Sequence, residues 1–439
     1  METLLIFATP LTPRHRYTFD WIFAERLGLP HSITDNKEEW ENYGGPKINY
    51  SNADLHGQQL KIVAHGLLAD TAITEVKPAI HRWKHSTILF YNQPGAPVPF
   101  DIFAAVFYLI SRYEEYTTAE TDEHGRYPHQ NSVAARYSFL QEPVVDVWLL
   151  HLAMLLQQMF GLQAPLPKFR FVPSYDVDVA WKFKYKTLSN TIGGLAKDML
   201  KMRPGAVANR LLALPGYRQD PWFVFDDMNK LCARHNHSPL YFFLVAKDGS
   251  KYDHNADPQL PEMRKLISTL SKGHAWGLHP SYLSYQSLHT LQAEYATLEN
   301  IVQQKPEWSR QHYLKVHLPL TYQNLVAAGI KEDFSMGYAG VNGFRAGTSH
   351  SFPWYDLSKE MATGLRVHPF VYMDATSRFY QKGNTKDAWD ELERLLHIVK
   401  ETNGVFVGIW HNHFLGTDAA NKHWRKLHER VLQYAATLC

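Results

Sequence analysis

Cysteine is nearly absent from this 439-residue chain: Cys232 and Cys439 are the only two. Two cysteines exclude a disulfide framework and a cysteine-built zinc site as organising devices. Long apolar runs are missing as well, and no stretch approaches the roughly 20 residues that cross a bilayer. The opening METLLIFATPLTPRHRYTF begins with an acid, and its short apolar stretch stops at Pro10 and Pro13. It lacks the basic start and long apolar centre of a signal peptide, so a soluble, cytoplasmic chain without a membrane span is expected. Charge of one sign is also scarce. Forty-five Lys and Arg face 43 Asp and Glu, for a net charge of +2 with neutral histidines. No basic block or charge-segregated half stands out, so nucleic acid is not an expected partner.

What is present fits a globular enzyme-sized chain. The length predicts two or three domains. The hydrophobic share is 45% and the aromatic share 13%, with 12 Trp and 24 Tyr. Aromatics build cores first, although exposed ones also make flat platforms for sugar rings. The 24 histidines are many for this length, and each needs support from its position before it counts as a ligand.

Pro165 and Pro167 punctuate FGLQAPLPKFRF, between the helical pattern Val144 to Phe160 and a strand pattern. Residues 1–165 therefore read as a smaller mixed α/β domain of unknown role. Its elements are the strand-like TLLIFAT and LKIVAHG, the helical FDIFAAVFYLISRYEEY, and a polar surface loop, TTAETDEHGRYPHQNS. In residues 166–439 short apolar runs (RFVPSYDVD, PLYFFLVA, HAWGLHPSY, GFRAGTS, LRVHPFVYMD and GVFVGIWHNHF) alternate with helical stretches. This alternation predicts a parallel sheet with crossover helices, open or closed as a barrel.

Nearly every run ends in chemically capable residues: Asp176 and Asp178, His279, Arg345, Asp374 and His411. Strand C-termini of a parallel sheet share one face, so these residues can converge there. Asp176 and Asp178 are two apart in an extended segment and so face one side. Two neighbouring carboxylates raise each other's proton affinity unless a cation intervenes. One can then hold a metal while the other handles a proton. Arg345, between glycines in GFRAGTS, suits a bidentate grip on a carboxylate, or a structural ion pair. Asp374 fits a helix cap as well as a partner for a histidine. His411 and His413 can share a side, and a histidine there suits proton donation near neutrality. SRQHYLKVHLPL adds His312 and His317 as imidazole candidates.

Taken in order, the Asp pair, the Gly-x-His strand end, the Arg-Gly loop, the Asp and the strand ending in His resemble the polysaccharide deacetylase superfamily. This is the NodB-type fold of carbohydrate esterase family 4, and the resemblance covers about Lys168 to the C-terminus. RQHYL, GFRAGTS and IWHN look like a bacterial subgroup with an extra N-terminal domain, which FDIFAAVFYLISRYEEY and DEHGRYP resemble. The resemblance implies a distorted (β/α) barrel and one divalent metal, usually zinc. It also implies an acetylated amino-sugar glycan or precursor as substrate. By position it makes Asp176 the base, Arg345 its brace, His411 the catalytic acid and Asp374 the acid that tunes it. Asp178 and His279 would be metal ligands.

The chain departs from that pattern twice. Val177 stands where the family has its metal-binding aspartate, so the role passes to Asp178. Leu283 stands at the second metal histidine. Catalytic zinc takes three protein ligands plus water, and the resemblance makes His312 the candidate for the missing one, ahead of His317 and His274, because RQHYL recurs in the subgroup that the chain resembles. The implied reaction is metal-assisted removal of an N-acetyl group. The alternatives are a degenerate saccharide-binding or assembly protein, and a deacylase of an ester or non-sugar amide.

Overall fold

The computed structural model describes residues 2–439 except Thr187, Lys201, Arg203 and Asp248; the side chains of 188–190, 194, 197 and 198 are also outside the description. A small parallel sheet opens the chain, formed by β1 (Leu4–Ala8), β2 (His31–Thr34), β3 (Lys47–Tyr50) and β4 (Leu60–Ile62) in the order β2-β1-β3-β4. A short antiparallel hairpin, β5 (His81–Trp83) and β6 (Ser86–Ile88), follows. The apolar helix Ile102–Ile110 is buried along its whole length, with Asp101 capping it by accepting from the Ala104 N–H. Helix Val144–Phe160 matches the segment predicted from its apolar pattern and ends at Gly161 in the left-handed region.

The expected alternation of strands and helices builds the second sheet. It contains β7 (Arg170–Val177), β8 (Leu240–Phe243), β9 (Ala275–Leu278), β10 (Trp308–Ser309), β11 (Glu332–Met336), β12 (Phe352–Asp356), β13 (Met361–Pro369), β14 (Tyr372–Met373) and β15 (Val405–His411). The order is β12-β13-β11-β10-β9-β8-β7-β15-β14, parallel throughout except where β12 runs against β13. The sheet curls into an open half-barrel with helices packed outside, such as Pro261–Gly273 and Thr385–Glu401. GFRAGTS is not one of its strands; the residues form a loop after β11.

Strand alternation sorts β7. Tyr175 and Val177 point outwards into the core under the helices, where the Tyr175 hydroxyl meets His428 Nε2 at 2.8 Å. Ser174 and Asp176, on the other face, look into the barrel. Val177 is fully buried among apolar side chains, which is why this position carries no ligand.

One buried charge network joins the stretch 112–115 to the loop after β11. Arg345 Nη2 and Nε donate to Glu115 at 2.6 and 2.9 Å, and Nη1 donates to the Gly337 carbonyl at 3.1 Å. Arg112 donates to the same Glu115 at 2.8 Å and to Glu114 at 2.9 Å. Burial pushes the Glu115 carboxyl up, but Arg345 and Arg112 outweigh it and hold it below its ordinary value. Beside them Asp146 accepts from Thr348 and Ser349. Gly347, at φ +66°, lets this turn press against Leu109, which a Cβ would approach to 2.8 Å. GFRAGTS is thus a joint between the N-terminal and C-terminal parts of the chain.

Candidate metal and acid–base site

Register brings the strand ends together. His411 lies opposite Asp176 across β15 and β7, Val177 opposite Phe243, and Phe243 opposite Leu278, with Leu278 also opposite Ser309. The chain leaves those ends carrying Asp178, His279 and His312 into a cavity of about 640 Å³. Gly277 permits this closeness, because a Cβ there would meet the Trp308 carbonyl at 2.6 Å.

Asp178, His279 and His312 offer ligand atoms that all lie within 4.8 Å of one another, the only such group of three or more among the described residues. His279 Nε2 is 3.1 Å from Asp178 Oδ1, and His312 Nε2 is 3.8 Å from Oδ2. Each imidazole is held from behind. His279 Nδ1 donates to the Arg310 carbonyl at 2.5 Å, and His312 Nδ1 to Asp253 at 2.8 Å. Those bonds place the ring proton on Nδ1 and leave Nε2 as a bare lone pair facing Asp178, the outer arrangement that orients metal-binding histidines. Asp178 Oδ1 is buried and makes no hydrogen bond. One carboxylate, two imidazoles and an unpartnered oxygen fit a divalent cation with an open position. Burial pushes the Asp178 carboxyl up, but the imidazolium forms of His312, His279 and His411, present when no cation replaces their protons, hold it well below the usual range. Asp253 is likewise lowered, to about 2, chiefly by its bond to His312 against the effect of burial.

The other histidine candidates lie elsewhere. His317 is exposed. His274 precedes β9, at the opposite end of the strand from His279. Leu283 is 48% exposed.

His411 Nδ1 meets Asp374 Oδ1 at 2.6 Å, its backbone N–H donates to Oδ2 at 2.9 Å, and its Nε2 lies 3.6 Å from Asp178. Burial lowers the His411 pKa, yet Asp374 first and then Asp178 and Asp176 raise it to about 10. His413 lines the same cavity. Burial and the neighbouring His411 lower it to about 3, so it stays neutral.

The expectation for Arg345 needs correction. Its guanidinium is taken by Glu115, and Arg310 is the arginine at Asp176. Arg310 Nη1 donates to Asp176 Oδ1 at 2.8 Å, Nε donates to the Phe334 carbonyl, and the guanidinium lies 4.3 Å over the Phe242 ring. Sequence reasoning passed over Arg310, although it stands two residues before His312 at the end of a strand.

The loop 117–132, expected to be a surface connection, reaches the cavity instead. Arg126 lines it, paired with Asp122 at 2.7 Å and donating to the Tyr313 carbonyl at 2.9 Å. Tyr313 and Leu314, directly after His312, both sit in the left-handed region at φ 59° and 54°. For residues with side chains that conformation costs on the order of 1 kcal/mol or more each and persists only when neighbours enforce it. Behind the lining residues Tyr252 and Tyr313, His124 packs against both rings and against Tyr282.

Comparison with known proteins adds the following. Residues 4–161 match the model of a family of unknown function, DUF7033. No curated protein matches the chain. Among solved structures the chain is similar to a probable polysaccharide deacetylase from Pseudomonas aeruginosa PAO1, at 15% identity and a TM-score of 0.37 over 61% of this chain and 84% of that one. It is also similar to the polysaccharide deacetylase Bc1974 from Bacillus cereus, at 12% identity and a TM-score of 0.28 over 61% and 85%. A mutant of BA3943, a CE4 family pseudoenzyme with restored enzymatic activity, matches at 12% identity and a TM-score of 0.27 over 61% and 65%. The chain is thus similar over residues 4–161 to a family without assigned function, and over 61% of its length to deacetylase structures at low identity.

Proposed function

We propose that the chain is a metal-dependent hydrolase that removes an N-acetyl group from an amino-sugar-containing glycan or precursor. The observation that carries this reading is the set of Asp178, His279 and His312, with both Nε2 atoms bare, lying between Asp176–Arg310 and His411–Asp374. A divalent cation held by these three side chains would supply Lewis acidity at the acyl oxygen and make water acidic enough to be deprotonated near neutrality.

The chain's own residues do the rest. Asp176, oriented by Arg310, takes the proton from the attacking water as the new C–O bond forms at the acyl carbon. His411, held by Asp374 and cationic, gives its proton to the nitrogen as the C–N bond breaks. An amine leaves poorly unless protonated, so an acid is needed as well as a base. The products are acetate and the free amine. Phe379 and Tyr380, 54% and 41% exposed, stand with Trp222 on the cavity lining and offer flat faces for sugar rings. The motif resemblance supports the amino-sugar substrate.

The purified protein is expected to carry stoichiometric divalent metal, lost in Asp178→Ala and in His312→Ala, and to release acetate from N-acetylated oligosaccharides. Full metal content in both variants would remove this ligand set. Bound metal without acetate release from a broad panel of saccharides would leave a binding protein or a deacylase of another substrate.

A further inference from the structure

Between two residues that line the cavity, Lys182 and Trp222, the chain leaves the barrel and returns. The excursion is closed at its neck by Asp220, which accepts from the N–H groups of Lys182, Phe183, Lys184 and Trp222. Two helices fill it, Leu188–Leu200 and Pro204–Ala213. They pack on each other and, among the described residues, on no other helix or strand to a comparable extent.

Their apolar side chains face outwards. Ile192, Met199, Leu200, Met202 and Leu211 are each more than half exposed, Leu200 and Met202 at 85% and 87%, and Tyr217 follows at 84%. Ile192, Leu195 and Met199 recur at helical spacing, so they share one face, yet none of the three is buried. An apolar stripe facing water in this way needs a covering surface.

Charge says which surface. Residues 182–218 hold eight Lys and Arg against a single acid, Asp198, in a chain whose whole net charge is +2. Everything outside this segment is therefore net acidic. The basic residues are spread over the excursion and form no block, so the sequence alone does not flag them. A surplus of Lys and Arg in a segment that also exposes an apolar helical face is the composition of a helix lying in the headgroup region of an anionic bilayer.

We propose that the helical excursion 182–218 docks on anionic lipid membranes and holds the mouth of the cavity at the lipid surface. It is a surface contact, distinct from any membrane-spanning segment, and it goes beyond the hydrolase reading without depending on it.

Co-sedimentation with vesicles tests it. The 439-residue chain is expected to sediment with vesicles of mixed phosphatidylcholine and phosphatidylglycerol, progressively less as salt rises, and not with phosphatidylcholine alone. The triple variant Ile192→Gln, Leu200→Gln, Met202→Gln should lose at least about tenfold in partitioning. Lys184→Gln and Arg218→Gln should lose about fivefold each. All should keep the wild-type circular dichroism and unfolding temperature, since these side chains support no core. Absence of binding to the anionic vesicles, or binding undiminished in the triple variant, would overturn the proposal. So would a sedimentation-equilibrium dimer that the triple variant renders monomeric while vesicles leave it unaffected, because a second copy of the chain would then cover the face.

Discussion

At the scale of single residues, the two arginines separate by test. Arg310→Met keeps the bulk over Phe242 and removes the bond to Asp176. We expect kcat to fall by about 10²-fold or more, within the range of lost base function, while metal content by elemental analysis stays at the wild-type level. The pH dependence follows from Asp374. In the proposed role His411 acts as the acid only when protonated, so the proposed activity is expected below its pKa and lost as pH rises through it. Asp374 is the leading cause that raises that pKa. In Asp374→Asn the alkaline limb of the kcat/KM profile should therefore move to lower pH, and an unmoved limb would detach His411 from the acid role. Asp176, Asp178, His279, Asp374 and His411 are legible in the sequence because each ends or follows an apolar run. Arg310 is less so. Its role depends on β10 lying three strands from β7 and on its side chain reaching back to Asp176, and no local pattern records that.

At the scale of elements, β7 accounts for Val177 standing where the motif that the chain resembles has an aspartate. Its alternation sends Asp176 into the barrel and Val177 into the core, and Asp178, two residues on from Asp176 and just past the end of β7, falls on the barrel side again. Placing an acid there by Val177→Asp should therefore not complete a ligand set. It buries a carboxylate among apolar side chains, and the expected cost is about 4 kcal/mol or more, read as a lower urea midpoint. The strands and crossover helices of the half-barrel were readable because their periods differ. The fate of GFRAGTS was not. Its small residues resemble a strand end, yet they serve a turn that Asp146 and Glu115 hold from another part of the chain. The helices of 182–218 also went unread, since their apolar residues cover no core.

At the scale of the molecule, the boundary expected between 165 and 166 lies in the strandless stretch 161–169, but one hydrophobic core runs from Leu4 to Ala435 across it. Removing one partner of a buried charge network leaves the others uncompensated, typically a loss of about 3–5 kcal/mol. Arg345→Met is therefore expected to lower stability by that order. The wild-type chain should unfold in a single denaturant transition, by both far-ultraviolet circular dichroism and tryptophan fluorescence. Two separated transitions would mean that the charge network does not couple the parts. The variant's surviving folded fraction should keep the wild-type pH profile, in contrast to a change at Arg310 or Asp374.

Arg126 grips the carbonyl of a residue held in a left-handed conformation directly behind His312. Thermodynamic coupling of this kind runs both ways. Whatever fixes the imidazole also steadies the loop 117–132, and whatever loosens the loop loosens the imidazole. Adding zinc to metal-free protein should accordingly slow amide hydrogen exchange at residues 122–126, far away in sequence, and Arg126→Ala should weaken zinc affinity although it touches no ligand. The segment matched to a family without assigned function would then act as an allosteric brace for the cation.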